Sequence, residues 1–366
     1  MVPALLVLST VQPTATTTVF ASGDGGFAQI RIPSLLQTKQ GTLLAFAEGR
    51  GGTGSDQEKN KIVFRSSGDD GKTWSKLVVL AGMDDAALNN PCAVQDSTSG
   101  RLVLMFQRYP AGLKEADGKL KPGTSGPDVV TSWLMTSGDN GKTWSKPRDI
   151  TAQVKRPTLA TTIASGPGVG IQLTKGRHKG RMIIPFNEGP FYKWQVYVAY
   201  SDDGGRRWQN GSNVPGAMVT AAGKTTSQVN EVQCVELDDG SVLMLARHWA
   251  GAACRKASVS NDGGETWSPV RDVPELTDPS CMGSVLRVEA AQDQGVLLYS
   301  GPDATDRSRG TLWTSRDGGK TWPEKRLIEP KGFAYSVLAP LSGGHVGCLY
   351  ETDDYKRIVF TALTVP

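Results

Sequence analysis

One eight-residue pattern recurs five times along the chain and constrains everything else. Residues 67–74, 137–144, 201–208, 260–267 and 315–322 all read Ser-x-Asp-x-Gly-x-Thr-Trp, with Arg207 in place of Thr in the third copy. Their aspartates, Asp69, Asp139, Asp203, Asp262 and Asp317, lie 70, 64, 59 and 55 positions apart. A fixed motif at intervals of about sixty residues marks a repeat protein, so the fold is an array of similar units.

A second signal keeps step with the first. Gly followed by an apolar run occurs six times, at residues 41–46, 100–106, 180–186, 240–245, 295–299 and 344–350. Each run follows another β-rich stretch one turn earlier, at 31–36, 91–95, 169–173, 232–237, 283–288 and 335–341, which reads as a hairpin. A third β-branched or apolar stretch then leads into the box. Each unit is therefore strand A, strand B, strand C and a box that turns into strand D. The expected fold is all-β, a six-bladed propeller of four-stranded antiparallel blades, not a sandwich. The sixth unit stops at Pro366 without a box or a fourth strand. The expectation is that a segment within residues 5–20 supplies that strand and closes the ring. Residues 114–128, rich in Lys, Gly and Pro, read as a loop insertion in the second blade.

Composition narrows the chemistry. The 366 residues read as a single domain, 1–366, with 1–20 as the closing strand or the remnant of an export signal. No apolar run approaches the eighteen or so residues that span a bilayer. A net charge of +4 without a Lys/Arg-rich run argues against nucleic acid, and any anion site must be built locally. The five cysteines form no CxxC or Cys/His cluster, so neither zinc nor a disulfide framework is implied and buried inert thiols are expected. With three dispersed histidines, catalysis falls to carboxylates, Arg or Tyr, with no metal or cofactor. Residues 2–8 are apolar but short for an export signal and read equally well as a strand.

In an antiparallel blade the start of A, the end of B and the B–C loop share one face of the disc, and the boxes lie on the other. The first face collects Arg31, Arg50 and Asp56 from blade I, Glu231 and Arg247 from blade IV, Arg307 and Arg309 from blade V, and Tyr335 from blade VI. Guanidinium forks suit a carboxylate ligand. A carboxylate beside a Tyr can draw its proton and make a nucleophile of a group with pKa about 10. That leaves Asp56 as general acid.

These residues resemble the sialidase (neuraminidase) family of exo-acting glycoside hydrolases, of the bacterial type. Arg31-Ile32-Pro33 matches the Arg-Ile-Pro signature of that family, the five boxes match its Asp-box, and the likeness runs from about Phe20 to the C-terminus. The resemblance implies a Tyr nucleophile, the exception among glycosidases. It assigns Arg31, Arg247 and Arg307 to the triad that grips the substrate carboxylate, Asp56 to acid/base catalysis, Glu231 and Tyr335 to the nucleophilic pair, and Arg50 to the pocket rim. Two positions have rivals: Arg309 for the third Arg, where distance to Tyr335 favours Arg307, and Glu58 for the acid, where spacing and the Ser55-Asp56 pairing favour Asp56.

The function so implied is release of terminal sialic acid from glycans with retention, by a monomer in a secreted or periplasmic setting. The alternatives are hydrolysis of a related 2-keto-3-deoxy acid glycoside, or a non-catalytic carbohydrate-binding propeller. Glu188, Gln107 and Asn90 share the face but match no motif. Trp133, Trp194, Trp249 and Trp313 read as blade packing, with Trp249 a candidate for the rim. The boxes read as scaffold, each Asp accepting bonds within its own turn and each Trp packing between blades.

Overall fold

A computed structural model describes residues 16–221, 224–289 and 295–365. Six antiparallel sheets follow one another around an axis. Blade I is Gln29–Gln37, Leu43–Arg50, Lys61–Ser67 and Val78–Ala81. Blade II is Ala86–Gln95, Leu102–Pro110, Thr131–Ser137 and the two-residue Arg148–Asp149. Blade III centres on Met182–Glu188 and Gln195–Ser201, blade IV runs from Val229–Glu236 to Arg271–Thr277, and blade V from Ser284–Glu289 to Glu324–Gly332. Blade VI is Ser336–Pro340, His345–Thr352 and Arg357–Thr364, and its outer strand is Thr16–Ala21 from the other end of the chain. The ring thus closes as expected, with residues 5–15 of the proposed segment outside the described residues.

The period-2 geometry of a strand explains why the apolar runs are continuous instead of alternating with polar residues. Leu43 and Ala45 face blade VI, while Leu44 and Phe46 face blade II. In the same way Met182, Ile184 and Phe186 pack toward blade II, and Ile183 toward blade IV. Six apolar clusters result, one at each junction between neighbouring blades. The inner strands are buried on both faces, and the outermost strands are partly exposed.

The boxes are C–D turns, and their side chains are consumed locally. In the first copy Thr73 donates its amide to Asp69 Oδ1 at 2.9 Å and its hydroxyl to Oδ2 at 2.6 Å. The Ser67 hydroxyl donates to the same Oδ1 and accepts from the Gly71 amide. Trp74 leans on Phe360 of blade VI and Trp144 on Phe46 of blade I, so each box locks its turn to the preceding blade. Gly71 sits at φ 83°, and a Cβ there would overlap the Phe360 ring. Those two demands leave glycine as the residue that fits. In the third copy Arg207 keeps the amide bond to Asp203 at 2.9 Å and lacks the hydroxyl one.

One expectation needs correction. Strand A of blade III is not the continuous 169–173 run. It is divided into Ile163–Ser165 and Ile171–Gln172, and Gly168–Val169 between them pairs in parallel with blade II. Gly166 and Gly168 hold positive φ, and Pro167 has no amide hydrogen for a ladder. A further hairpin, Met218–Ala221 with Lys224–Ser227, precedes blade IV and had no signal in the repeat pattern. No helix among the described residues is long and apolar enough to cross a membrane.

Candidate active site

The mouth is shaped by irregularities at the same level of three inner strands. Pairing slips between Arg31 and Ser34 in blade I, between Asn89 and Cys92 in blade II, and between Val229 and Val232 in blade IV. Bulges re-aim side chains, and these three stretches carry Arg31, Asn90 and Glu231. Ile32 has φ 60°, a position a β-branched residue rarely takes. Its amide donates to Glu351 Oε1 at 2.8 Å, so the carboxylate that tethers the kink also receives the Arg31 fork.

At the floor the Tyr335 hydroxyl donates to Glu231, 2.5 Å from Oε1 and 2.7 Å from Oε2. Arg247 Nη1 donates to Glu231 Oε2 at 2.7 Å and to the Tyr335 oxygen at 2.9 Å. Burial pushes the phenol well above its ordinary value; the Arg247 charge pulls the other way without cancelling it. The ring lies close to two more cations, with Arg31 Cζ 5.6 Å and Arg307 Cζ 5.4 Å from its centroid. The hydroxyl is therefore a neutral phenol poised between a proton acceptor and guanidinium groups.

Arg31 donates through Nε and Nη2 to the two oxygens of Glu351 at 3.0 and 2.8 Å. Burial opposes its charge, and Glu351, with Tyr335 and Tyr355, more than offsets that. Arg307 donates to the Tyr355 hydroxyl at 3.2 Å and to the Ser280 carbonyl at 2.9 Å. Arg309 is exposed, so of the two rivals Arg307 is the one brought to Tyr335. Arg50 is held by Glu48 at 2.7 Å and reaches Asp56 Oδ1 at 2.5 Å. Asp56 is 68% exposed, while Asn60 and Asn89 fix its carbonyl from below. Glu58 is tied back to Thr53 and lies outside the cavity that Asp56 lines.

The cavity has a volume of about 270 Å³. Sorting residues by strand position brought Arg50, Asp56, Glu231, Arg247 and Tyr335 to it, with Arg31 and Arg307 alongside. Several residues in or around it carried no motif. Asn90, expected to be without a role, lines the wall, and Gln107 and Glu188 instead support the scaffold through Ser165 and Arg156. Trp194, expected to pack within its blade, lines the cavity with Trp249, their rings 4.4 Å apart. Its Nε1 donates to Glu115 Oε1 at 2.8 Å, a carboxyl raised by burial and supplied by the blade II insertion. Trp249 stands at the rim over Arg247, and Trp313 is fully buried against Tyr299. Glu48 and Glu351, near the ends of B strands, carried no motif and were not among the residues expected at the mouth. The five cysteines are buried and unpaired.

Six blades, box turns on one face and an arginine-rich cavity over a Tyr–Glu pair on the other define an Asp-box propeller. Residues 41–348 match the model of the BNR repeat-like domain. Over 347 residues the chain is 35% identical to a sialidase of Micromonospora viridifaciens, covering 90% of this chain and 51% of that protein. A Bacteroides fragilis sialidase is 29% identical, with 91% of this chain and 61% of the relative covered. A Hadza microbial sialidase structure superposes with a TM-score of 0.85 at 27% identity over 96% of this chain and 68% of that one. This chain belongs to the BNR repeat-like domain family. It spans about half to three-fifths of the length of those two curated relatives.

Proposed function

We propose that this chain is an exo-α-sialidase that hydrolyses terminal sialic acid from glycoconjugates with retention, through a Tyr335-linked intermediate. The observation that carries the reading is the Tyr335–Glu231–Arg247 contact at the cavity floor. A buried phenol whose pKa is raised supplies no free phenolate, so its proton must leave during attack, and Glu231 is in place to take it. A neutral nucleophile also avoids the repulsion a carboxylate would meet from an anionic sugar.

In this mechanism Arg31, Arg247 and Arg307 hold the substrate carboxylate, each charge-assisted bond contributing about 1.5–3 kcal/mol when desolvated. The Tyr335 oxygen bonds to the anomeric carbon as its proton passes to Glu231, and Asp56 protonates the departing glycosidic oxygen. Asp56 then takes a proton from water, which attacks the same carbon, and the phenolate recovers its proton from Glu231. Arg50 orients Asp56 at the rim. Two inversions at one carbon give retention.

We read residues 1–366 as one catalytic unit, supported by the closed ring of inter-blade cores. It acts as a monomer on sialylated glycans in a secreted or periplasmic setting, where buried thiols are shielded from exchange. The test is release of a fluorescent aglycone from an α-sialoside. Tyr335→Phe and Asp56→Asn are each expected to lower kcat by about 10²–10⁴-fold. Wild-type rates in both variants would overturn the mechanism.

A further inference from the structure

We propose that Tyr355 is a positioning residue that spaces Arg31 and Arg307, and that Arg307 carries the uncompensated charge of the mouth. This inference rests on the sialidase reading of the site. The three guanidiniums around Tyr335 are not equivalent. Arg31 has Glu351 and Arg247 has Glu231 as ion partners, at 2.8 and 2.7 Å. Among the described residues no carboxylate pairs with Arg307, and its two hydrogen-bond acceptors are neutral, the Tyr355 hydroxyl and the Ser280 carbonyl. The nearby charge of Arg247 works against it as well. A carboxylate entering the site therefore supplies the one counter-charge that the protein omits. Neutral groups must keep Arg307 in place until it arrives.

Tyr355 does this for two arginines at once. Its hydroxyl accepts from Arg307, and its ring face takes the Arg31 guanidinium, with Cζ 3.9 Å from the centroid. An aromatic face attracts a cation without neutralising it, so Arg31 is steadied without losing its pull on a ligand.

The backbone gives an independent argument. Asp353, Asp354 and Tyr355, in the B–C loop of blade VI, have φ of 50, 51 and 65°. Three successive non-glycine residues in the left-handed region are costly, and Gly or Asn would make the turn easily. Here neither is used. The turn is secured by the Lys356 amide on the Asp353 carbonyl, the Arg357–Asp353 ion pair and the Thr352 hydroxyl on the Gly332 carbonyl. Tyr355 also packs against the cluster that contains Ile32 and Tyr335. Strain held in this way points to a side chain whose placement matters.

The experiment measures kcat and KM on a fluorescent α-sialoside, and the dissociation constant of free N-acetylneuraminic acid by calorimetry, for Tyr355→Phe and Tyr355→Leu. Loss of the hydroxyl alone should raise KM and the dissociation constant about tenfold with kcat within about twofold. Loss of the ring as well should raise both about fivefold further. In an Arg307→Met background, Tyr355→Phe should add less than about a twofold increase, because the bond it removes is already gone. An unchanged KM in Tyr355→Phe, a fall in kcat alone, or an equal increment in the Arg307→Met background would each overturn the proposal. If the Leu variant does not fold, the Phe variant and the cycle still decide. A wild-type protein that turns over no sialoside refutes the function reading instead, and the binding constants then test the positioning role separately.

Discussion

The two faces of this propeller use acidic side chains in opposite ways. On the box face Asp262 accepts the amide of Thr266, four residues away, at 2.9 Å and its hydroxyl as well. On the mouth Glu351 accepts the fork of Arg31, 320 residues away. Asp262 stabilises a turn that would be recognisable in isolation. Glu351 has meaning only once blades I and VI meet. The lesson is that a repeated motif marks what is common to all blades, whereas the site is made from what differs between them.

The comparison is broken most severely at the mouth. Arg307→Ala and Arg31→Ala should each raise KM about a hundredfold. Their stabilities should diverge. Arg31→Ala leaves the buried charge of Glu351 without its cation, at a cost of about 3–5 kcal/mol, while Arg307 has no carboxylate to abandon. Equal denaturation midpoints for the two variants would refute the asymmetry. On the other face Asp262→Ala should cost about 1–2 kcal/mol, a few degrees in Tm, with KM unchanged. A selective rise in KM would show that the boxes communicate with the site.

Acid should act first on the box face. The amide and hydroxyl of Thr73 hold Asp69 at about 2, against an ordinary 3.8, and Thr143 does the same for Asp139. A carboxylate with its folded pKa depressed contributes stability above the unfolded value and loses it as pH falls through the folded one. Tm should therefore hold above pH 4 and decline between about pH 4 and pH 2. Asn at both positions should flatten that decline. The smallest effect is at the defective third box, where Arg207→Thr should restore the missing hydroxyl bond to Asp203 and stabilise by about 0.5 kcal/mol. Thermal denaturation of the single variant checks it.

Much of this was legible beforehand. The box and the Gly-led apolar runs gave the blade count, the closing role of the N-terminal segment and the face on which to look. Applied to strand ends, that rule gathered Arg31, Arg50, Asp56, Glu231, Arg247, Arg307 and Tyr335. It did not single out Glu48 or Glu351, because which carboxylate meets which guanidinium depends on how the side chains converge in the folded ring. Trp194 was misjudged for a related reason. A Trp just before a strand reads as packing, and its turn toward the cavity depends on Glu115 arriving from a different blade. The broken inner strand of blade III had its Gly-Pro-Gly signal in the sequence, at 166–168. The parallel pairing of Gly168–Val169 with blade II did not, because a strand records its own periodicity and not its neighbour.

The sequence by itself determined the repeat, the hairpin order, the opposite sides of boxes and mouth, and the residue types available for chemistry. Those are encoded within a few positions of one another, in turns and in period-2 patterns. Only the tertiary structure decided that Glu351 serves Arg31, that Glu231 holds Arg247 as well as its expected partner Tyr335, and that Arg307 is left to Tyr355 and Ser280. The physical reason is that ion pairing acts through distance in space. Closing the ring is what brings charges hundreds of residues apart to within 3 Å.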